Sequence, residues 1–303
     1  MDCRGSSKGL GLDRLNGGLD LKSRPIGIFD SGVGGLTVLR TLIDRLPGED
    51  YIYFGDTANV PYGTKTREQL FDYAHDIIDF LLSHQVKSIV VACGTHSSVT
   101  LPELEAACPV PLLGVVKPGA RAAVKATRNG RIGVIATQAS VNSGSYANAI
   151  KSIDPRYTVH SAACSQFVPL VESGLLNSPA TRQAVREYIK PLLDLDIDTL
   201  VLGCTHYPFL APVIEELVGP DVTLVDPAEE TVSELRELLN AQDLINDSSL
   251  GNRRFFVSGN AEYFCQLGRM LIGEVIEKVS RPSMERDLPL GGFKGEDYAQ
   301  HIG

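Results

Sequence analysis

Residues 26–31 read Ile-Gly-Ile-Phe-Asp-Ser, and residues 132–137 read Ile-Gly-Val-Ile-Ala-Thr. Each is a short apolar run that opens on Ile-Gly and ends on a hydroxyl residue. Such a run, bounded by turn formers, suits a strand buried on both faces of a parallel sheet. The likeness continues downstream. Sixty-six residues after Gly27 the run Ile89-Val90-Val91-Ala92 ends on Cys93, and 71 residues after Gly133 the run Leu200-Val201-Leu202-Gly203 ends on Cys204. Order and spacing agree together, so the chain reads as two related halves. Chance is the competing explanation, because Ile-Gly strands are common in α/β proteins.

Working outward, the apolar runs stand at 25–29, 88–93, 131–136, 199–204 and 222–226, and the stretch TREQLFDYAHDIIDFLLSHQ at 66–85 has helical spacing between two of them. Strands alternating with helices predict an α/β fold of two pseudo-symmetric, doubly wound domains. Ligands of open α/β sheets bind at the carboxyl ends of the strands, so the active site is expected in the cleft between the domains. Residues 1–24 lack periodicity and read as a mobile extension, and residues 281–303 as a loosely held tail.

Composition narrows the function. A chain of 303 residues suggests about two domains. The 28 Lys and Arg against 37 Asp and Glu give a net charge of -9, with no basic stripe for nucleic acid. No apolar run approaches the roughly 20 residues of a membrane span, and the N-terminus lacks a secretory core, so a cytoplasmic protein is expected. Six cysteines in a chain this long do not make a disulfide scaffold, so special cysteines are reactive or metal-binding.

Several motifs carry chemistry. The loop Asp30-Ser31-Gly32-Val33-Gly34-Gly35 follows a strand and precedes a helical stretch, where backbone N–H groups can receive a phosphate or a carboxylate. A dinucleotide fingerprint would need a small residue where Thr37 stands. Asp30 is either a helix cap or a group that orients a base. Pro61-Tyr62-Gly63 offers a rigid turn with a phenol and an open backbone. Cys93 sits at a strand end before Gly94-Thr95-His96, where the dipole of the following helix is expected to lower its pKa. Cys204 is followed by Thr205 and His206, the latter placed to assist proton transfer. Cys3, Cys108, Cys164 and Cys265 have no matching polar setting and read as structural.

Cys93, His96, Cys204 and His206 also offer four zinc ligands, although structural zinc pairs usually sit on tight knuckles. Nucleophilic Cys/His chemistry would use one cysteine and leave its symmetric partner idle. Two equivalent thiols fit a different task, inversion of an acidic carbon centre: one thiolate takes the proton while the opposite thiol gives one. The pyridoxal route to that carbanion needs a Schiff-base lysine. Nothing singles out Lys117, Lys125 or Lys190 for it, so no cofactor and no metal are expected.

Taken together, DSGVGG (30–35), FGDTANVPYG (54–63), VVAC-x-T (90–95), FVPLVESG (167–174), LGCTHYP (202–208) and FFVSG (255–259) resemble the glutamate racemases of the aspartate/glutamate racemase superfamily. The resemblance runs from about residue 25 to about 280. It implies cofactor-independent racemisation of glutamate, supplying D-glutamate for peptidoglycan, with Cys93 and Cys204 as the two acid/base groups. Asp30, Glu172 and His206 match supporting catalytic residues. Asp30, Ser31, Tyr62, Gly63, Gly94, Thr95, Thr205 and His206 match substrate contacts. The resemblance also implies that residues 227–280 return to the first domain, 25–117, while 118–226 form the second. It leaves a homodimer open. One motif departs: the family usually reads Cys-Asn-Thr-Ala where this chain has Cys93-Gly94-Thr95-His96. Weaker binding or another substrate, such as aspartate, would follow from the missing amide, and a catalytically idle binding protein of the same fold is the alternative from another class.

Overall fold

The computed structural model describes residues 20–282. Ten strands fall into two sheets, all paired parallel. The first contains β1 (Ile26–Asp30), β2 (Tyr51–Gly55), β3 (Ser88–Val91) and β4 (Leu112–Gly114); the second contains β5 (Arg131–Ala136), β6 (Thr158–Ala163), β7 (Thr199–Leu202) and β8 (Thr223–Val225). Late in the chain, β9 (Arg253–Val257) and β10 (Val279–Ser280) join the first sheet. The orders are β10-β9-β2-β1-β3-β4 and β6-β5-β7-β8. Within each sheet the opening strand lies between the second and the third, with the fourth outside the third.

The repeat seen in the sequence extends to register. Gly27 of β1 pairs with Ile89 of β3, and Gly133 of β5 pairs with Leu200 of β7. From Ile89 to Cys93 and from Leu200 to Cys204 the chain advances equally, so the two cysteines occupy equivalent places beyond equivalent strands. Strands β1, β3 and β7 are buried along their whole lengths, as unbroken apolar runs require.

The predicted helix at 66–85 forms as Arg67–Ser83, and the Thr66 hydroxyl and Gln69 side chain make a reciprocal capping box at its start. One apolar core spans both halves, joining Ile28 and Leu36 of the first to Phe167, Leu202 and Tyr207 of the second.

Most of the expected mobile extension, residues 1–19, lies outside the described residues, as does the tail from 283 onward. Where the extension is described it is ordered: Leu21–Ser23 forms a 3-10 turn. The Lys87 ammonium, itself paired with Glu49 at 2.5 Å, donates to the carbonyls of Lys22 and Leu244 and pins that turn beneath the first sheet. Among the described residues no helix is long and apolar enough to cross a membrane.

Candidate active site

Both cysteines lie two residues beyond a buried strand, and both are closed off from bulk water, at 3% exposure for Cys93 and 5% for Cys204. They belong to one seam between the halves. An atom added as Cβ on Gly94 would lie 2.5 Å from the Gly203 carbonyl oxygen and 3.5 Å from the Cys204 Cα.

The loop after β1 supplies one wall. Asp30 is fully buried and does not cap a helix; its Oδ1 accepts from the Gly32 N–H at 2.9 Å. Its Oδ2 accepts from the Thr205 hydroxyl of the other half at 2.9 Å. The following Val33 N–H donates to the Glu172 carboxylate at 3.0 Å. The anion-receiving turn legible in the sequence thus receives a carboxylate of the protein's own. Tyr53 Oη donates to the Gly32 carbonyl at 2.8 Å and holds the loop from below. Ser31 is buried in the same turn.

The second wall is a relay. Cys204 Sγ lies 3.8 Å from His206 Nδ1, and His206 Nε2 lies 2.7 Å from Glu172 Oε1. Burial pulls the imidazole down, but the bond to Cys204 and the bond to Glu172 outweigh it and hold His206 well above its usual range. The two contacts thus favour the charged form of the ring, with Glu172 on one nitrogen and the Cys204 sulfur on the other. Glu172 ends the short helix Phe167–Glu172, and its carbonyl accepts from the Tyr263 hydroxyl at 2.5 Å.

Around Cys93 the setting differs. Cys93 stands at the N-cap of the helix Gly94–Val99 without a side-chain capping hydrogen bond, and the Thr95 and His96 N–H groups lie near its sulfur and favour its anion. The expected lowering of this thiol does not occur. Burial pushes it up, the Asp30 carboxylate adds to the rise, and the two N–H groups oppose it only in part. The thiol lies in a small apolar cluster with Tyr62 and Leu70. Tyr62, expected to present its phenol to a ligand, instead donates to Asp56 Oδ2 at 2.5 Å. Gly63 packs against Thr137, whose hydroxyl lies 3.0 Å from that of Thr95.

His96 stands apart from the other histidine. It is fully buried, edge-on to Tyr62 with ring centres 4.7 Å apart. The Thr100 hydroxyl donates to the His96 carbonyl at 3.2 Å, so it accepts from His96 Nδ1–H at 3.0 Å. This leaves Nε2 as a bare lone pair with no hydrogen-bond partner. Burial pushes the imidazole down to about 3, so it is neutral. The four side chains considered as zinc ligands do not form a ligand set: among the described residues no three His, Cys, Asp or Glu converge in that way.

Sequence reasoning missed Thr137 and Tyr263. Thr137 closes the repeated Ile-Gly strand, and that position was itself the available signal. Tyr263 carries none, because its bond is to a main-chain carbonyl far away in sequence. Of the remaining cysteines, Cys164 is buried, Cys108 and Cys265 are half-buried, all as free thiols, and Cys3 lies outside the described residues.

This geometry, two thiols at equivalent ends of repeated sheets, has known relatives. A sequence profile of the Asp/Glu/Hydantoin racemase family matches residues 26–235. A glutamate racemase of Thermoanaerobacter pseudethanolicus is 47% identical over 266 residues, covering 88% of this chain and all of that protein. The crystal structure of a glutamate racemase from Bacillus anthracis superimposes with a TM-score of 0.82 at 39% identity, covering 86% of this chain and 97% of the other. A Francisella tularensis glutamate racemase, solved in complex with D-glutamate, gives a TM-score of 0.79 at 35% identity over the same shares. Family match, identity and superposition agree, and the chain belongs to the Asp/Glu/Hydantoin racemase family, whose members are isomerases.

Proposed function

We propose that this enzyme interconverts L- and D-glutamate by a two-base mechanism in which Cys93 and Cys204 act on opposite faces of the α-carbon. The observation that supports it most is the register: two thiols, each beyond the third strand of its own sheet, meet in a single seam. An enzyme that inverts a centre needs a base on one side and an acid on the other, and a repeated fold can supply both. The names of the relatives favour glutamate as the substrate.

In one direction a Cys204 thiolate takes the α-proton while the Cys93 thiol delivers its own proton to the opposite face. The C–H electron pair passes to the developing carbanion and is recaptured by the new C–H bond. The two sulfurs end with their protonation exchanged, and the reverse reaction runs from that state. The imidazolium of His206 lies beside Cys204 and stabilises its thiolate, with Glu172 keeping the ring charged and oriented. The high thiol of Cys93 suits the donor role, and the Thr95 and His96 N–H groups support its sulfur once deprotonated. Asp30, Ser31, Thr95 and Thr205 line the space that the substrate's ammonium and carboxylate would occupy. Binding requires the Asp30–Thr205 and Thr95–Thr137 contacts to exchange for contacts with the ligand. The D-glutamate formed would supply peptidoglycan synthesis in the cytoplasm. The segments 25–117 with 227–280, and 118–226, are our proposed domains.

The test is proton exchange. Pyridoxal-free enzyme in deuterated water should convert each enantiomer of glutamate into the other, with deuterium at the α-carbon of the product. Turnover of aspartate but not glutamate would reassign the substrate. Undiminished turnover in Cys93→Ala or Cys204→Ala would overturn the mechanism.

A further inference from the structure

Across the seam, glycines of the first half face groups of the second at distances that leave no room for a methyl. A Cβ on Gly32 would strike Glu172 Oε1, one on Gly34 would strike His206 Nδ1, and one on Gly63 would lie 2.9 Å from Thr137 Cβ. Each of these neighbours is a side chain and can rotate or withdraw. Gly94 differs. Its neighbour is the main-chain carbonyl of Gly203, 2.5 Å from the position a Cβ would take, and that carbonyl lies directly before Cys204. Gly203 is itself tied to the second sheet, its N–H donating to the Ile135 carbonyl at 2.8 Å. The two cysteine-bearing turns therefore meet backbone to backbone through one residue without a side chain.

We propose that Gly94 is the positioning residue that sets the closest approach of the Cys93 and Cys204 turns, and so the gap in which the α-carbon is held between the two sulfurs. This rests on the two-thiol reading above. It gives a physical meaning to the departure from Cys-Asn-Thr-Ala: in this chain the side chain at position 94 is traded for a closer approach of the halves. A Cβ at 94 needs about 3.4 Å from the carbonyl oxygen, so alanine would hold the turns apart by the better part of an ångström. A misplacement of about 1 Å at reacting atoms can cost on the order of 100-fold in rate. The same substitution gains helix propensity in the first turn but overpacks the seam, so its two contributions to stability oppose one another.

The loss should accordingly fall far more heavily on rate than on stability. In the full-length enzyme, Gly94→Ala is expected to remain folded, with its melting temperature lowered by no more than a few degrees, while kcat falls roughly 30- to 100-fold in both directions and KM changes less than about threefold. Gly94→Asn, which restores the residue common in the family, should lose at least as much. Should the alanine variant fail to fold, a crystal structure of the wild type with glutamate bound decides instead: room for a Cβ between residues 94 and 203 overturns the proposal, and main-chain contact there supports it. A kcat within about threefold of wild type in the alanine variant, or a gain in kcat/KM with asparagine, overturns the proposal. A crystal structure of Gly94→Ala reads the gap without reference to activity: an unchanged separation between the 94 and 203 turns overturns the proposal, a widened one supports it. A wild-type enzyme that exchanges no α-proton of glutamate or aspartate would instead defeat the reading of function, with the structural result still deciding the role of Gly94.

Discussion

The Cys93 and Cys204 turns are products of one repeated design, with the same strand order, the same register and the same two-residue reach beyond the strand. Their surroundings are nevertheless opposite. Cys204 has a charged relay at its side, His206 then Glu172, whereas Cys93 has a neutral, buried histidine behind it and tyrosine and leucine around it. Symmetry of backbone thus coexists with asymmetry of electrostatics. The backbone carries the two sulfurs to equivalent positions, and the side chains give them different surroundings. The mechanism proposed above needs the first kind of likeness and tolerates the second, because each turnover would exchange the protonation of the pair.

The largest expected effect comes from removing either sulfur. Cys93→Ala and Cys204→Ala should each lower racemisation by about 10³-fold or more. If the roles are complementary, each variant retains exchange of solvent deuterium into one enantiomer only, and the two variants choose opposite enantiomers. Proton NMR of each enantiomer in deuterated water would read this, and retention of the same enantiomer by both would break the comparison.

A smaller effect should follow from neutralising the relay. With Glu172→Gln, burial is no longer balanced, and the His206 imidazole should fall by about 1–3 pH units in an NMR titration. The sign fixes the stability effect as well. A raised histidine stabilises the fold fully below the unfolded value near 6.5 and loses that contribution as pH rises through its folded value. The variant should therefore lose stability relative to wild type at acidic and neutral pH, with kcat reduced about 10- to 100-fold. An unmoved titration would remove Glu172 from the relay.

On the Cys93 side the sign reverses. His96 is pushed down to about 3, so the unfolded chain takes its proton first, and stability falls as pH drops from about 6.5 toward 3. His96→Phe keeps a ring between Phe29 and Tyr62 and removes this loss. Between pH 7 and pH 5 wild type should lose about 2 kcal/mol more than the variant in urea unfolding. Equal losses would show that the ring is not held neutral by burial.

Much of this was legible in the residues. The two Ile-Gly runs and their later cysteines carry the repeat, because a strand buried on both faces must be continuously apolar and a shared register keeps the spacing alike. The strand Tyr51–Gly55 was harder, since its aromatic residues lead straight into a polar loop. The half-buried edge strand Thr158–Ala163 shows no apolar run at all. At the site, burial was the missing quantity. A helix N-terminus lowers a thiol only where solvent or charge supports the anion, and sequence could not show that Cys93 would be sealed beside Asp30. Nor could it show that the turn Asp30–Gly35 would be occupied by Glu172, because that contact joins positions 139 residues apart.

The strand order also governs how the chain is made. The second sheet is drawn from one continuous stretch, residues 131–225, whereas the first waits for Arg253–Val257 to cover the outer side of Tyr51–Gly55. During synthesis the N-terminal sheet is therefore the last to be completed, although its opening strands are the first to leave the ribosome. Until then the aromatic strand Tyr51–Gly55 offers a bare edge to any neighbouring chain. Truncation before residue 253 would leave that edge permanently open, so incomplete chains should aggregate through the half of the molecule that was translated first.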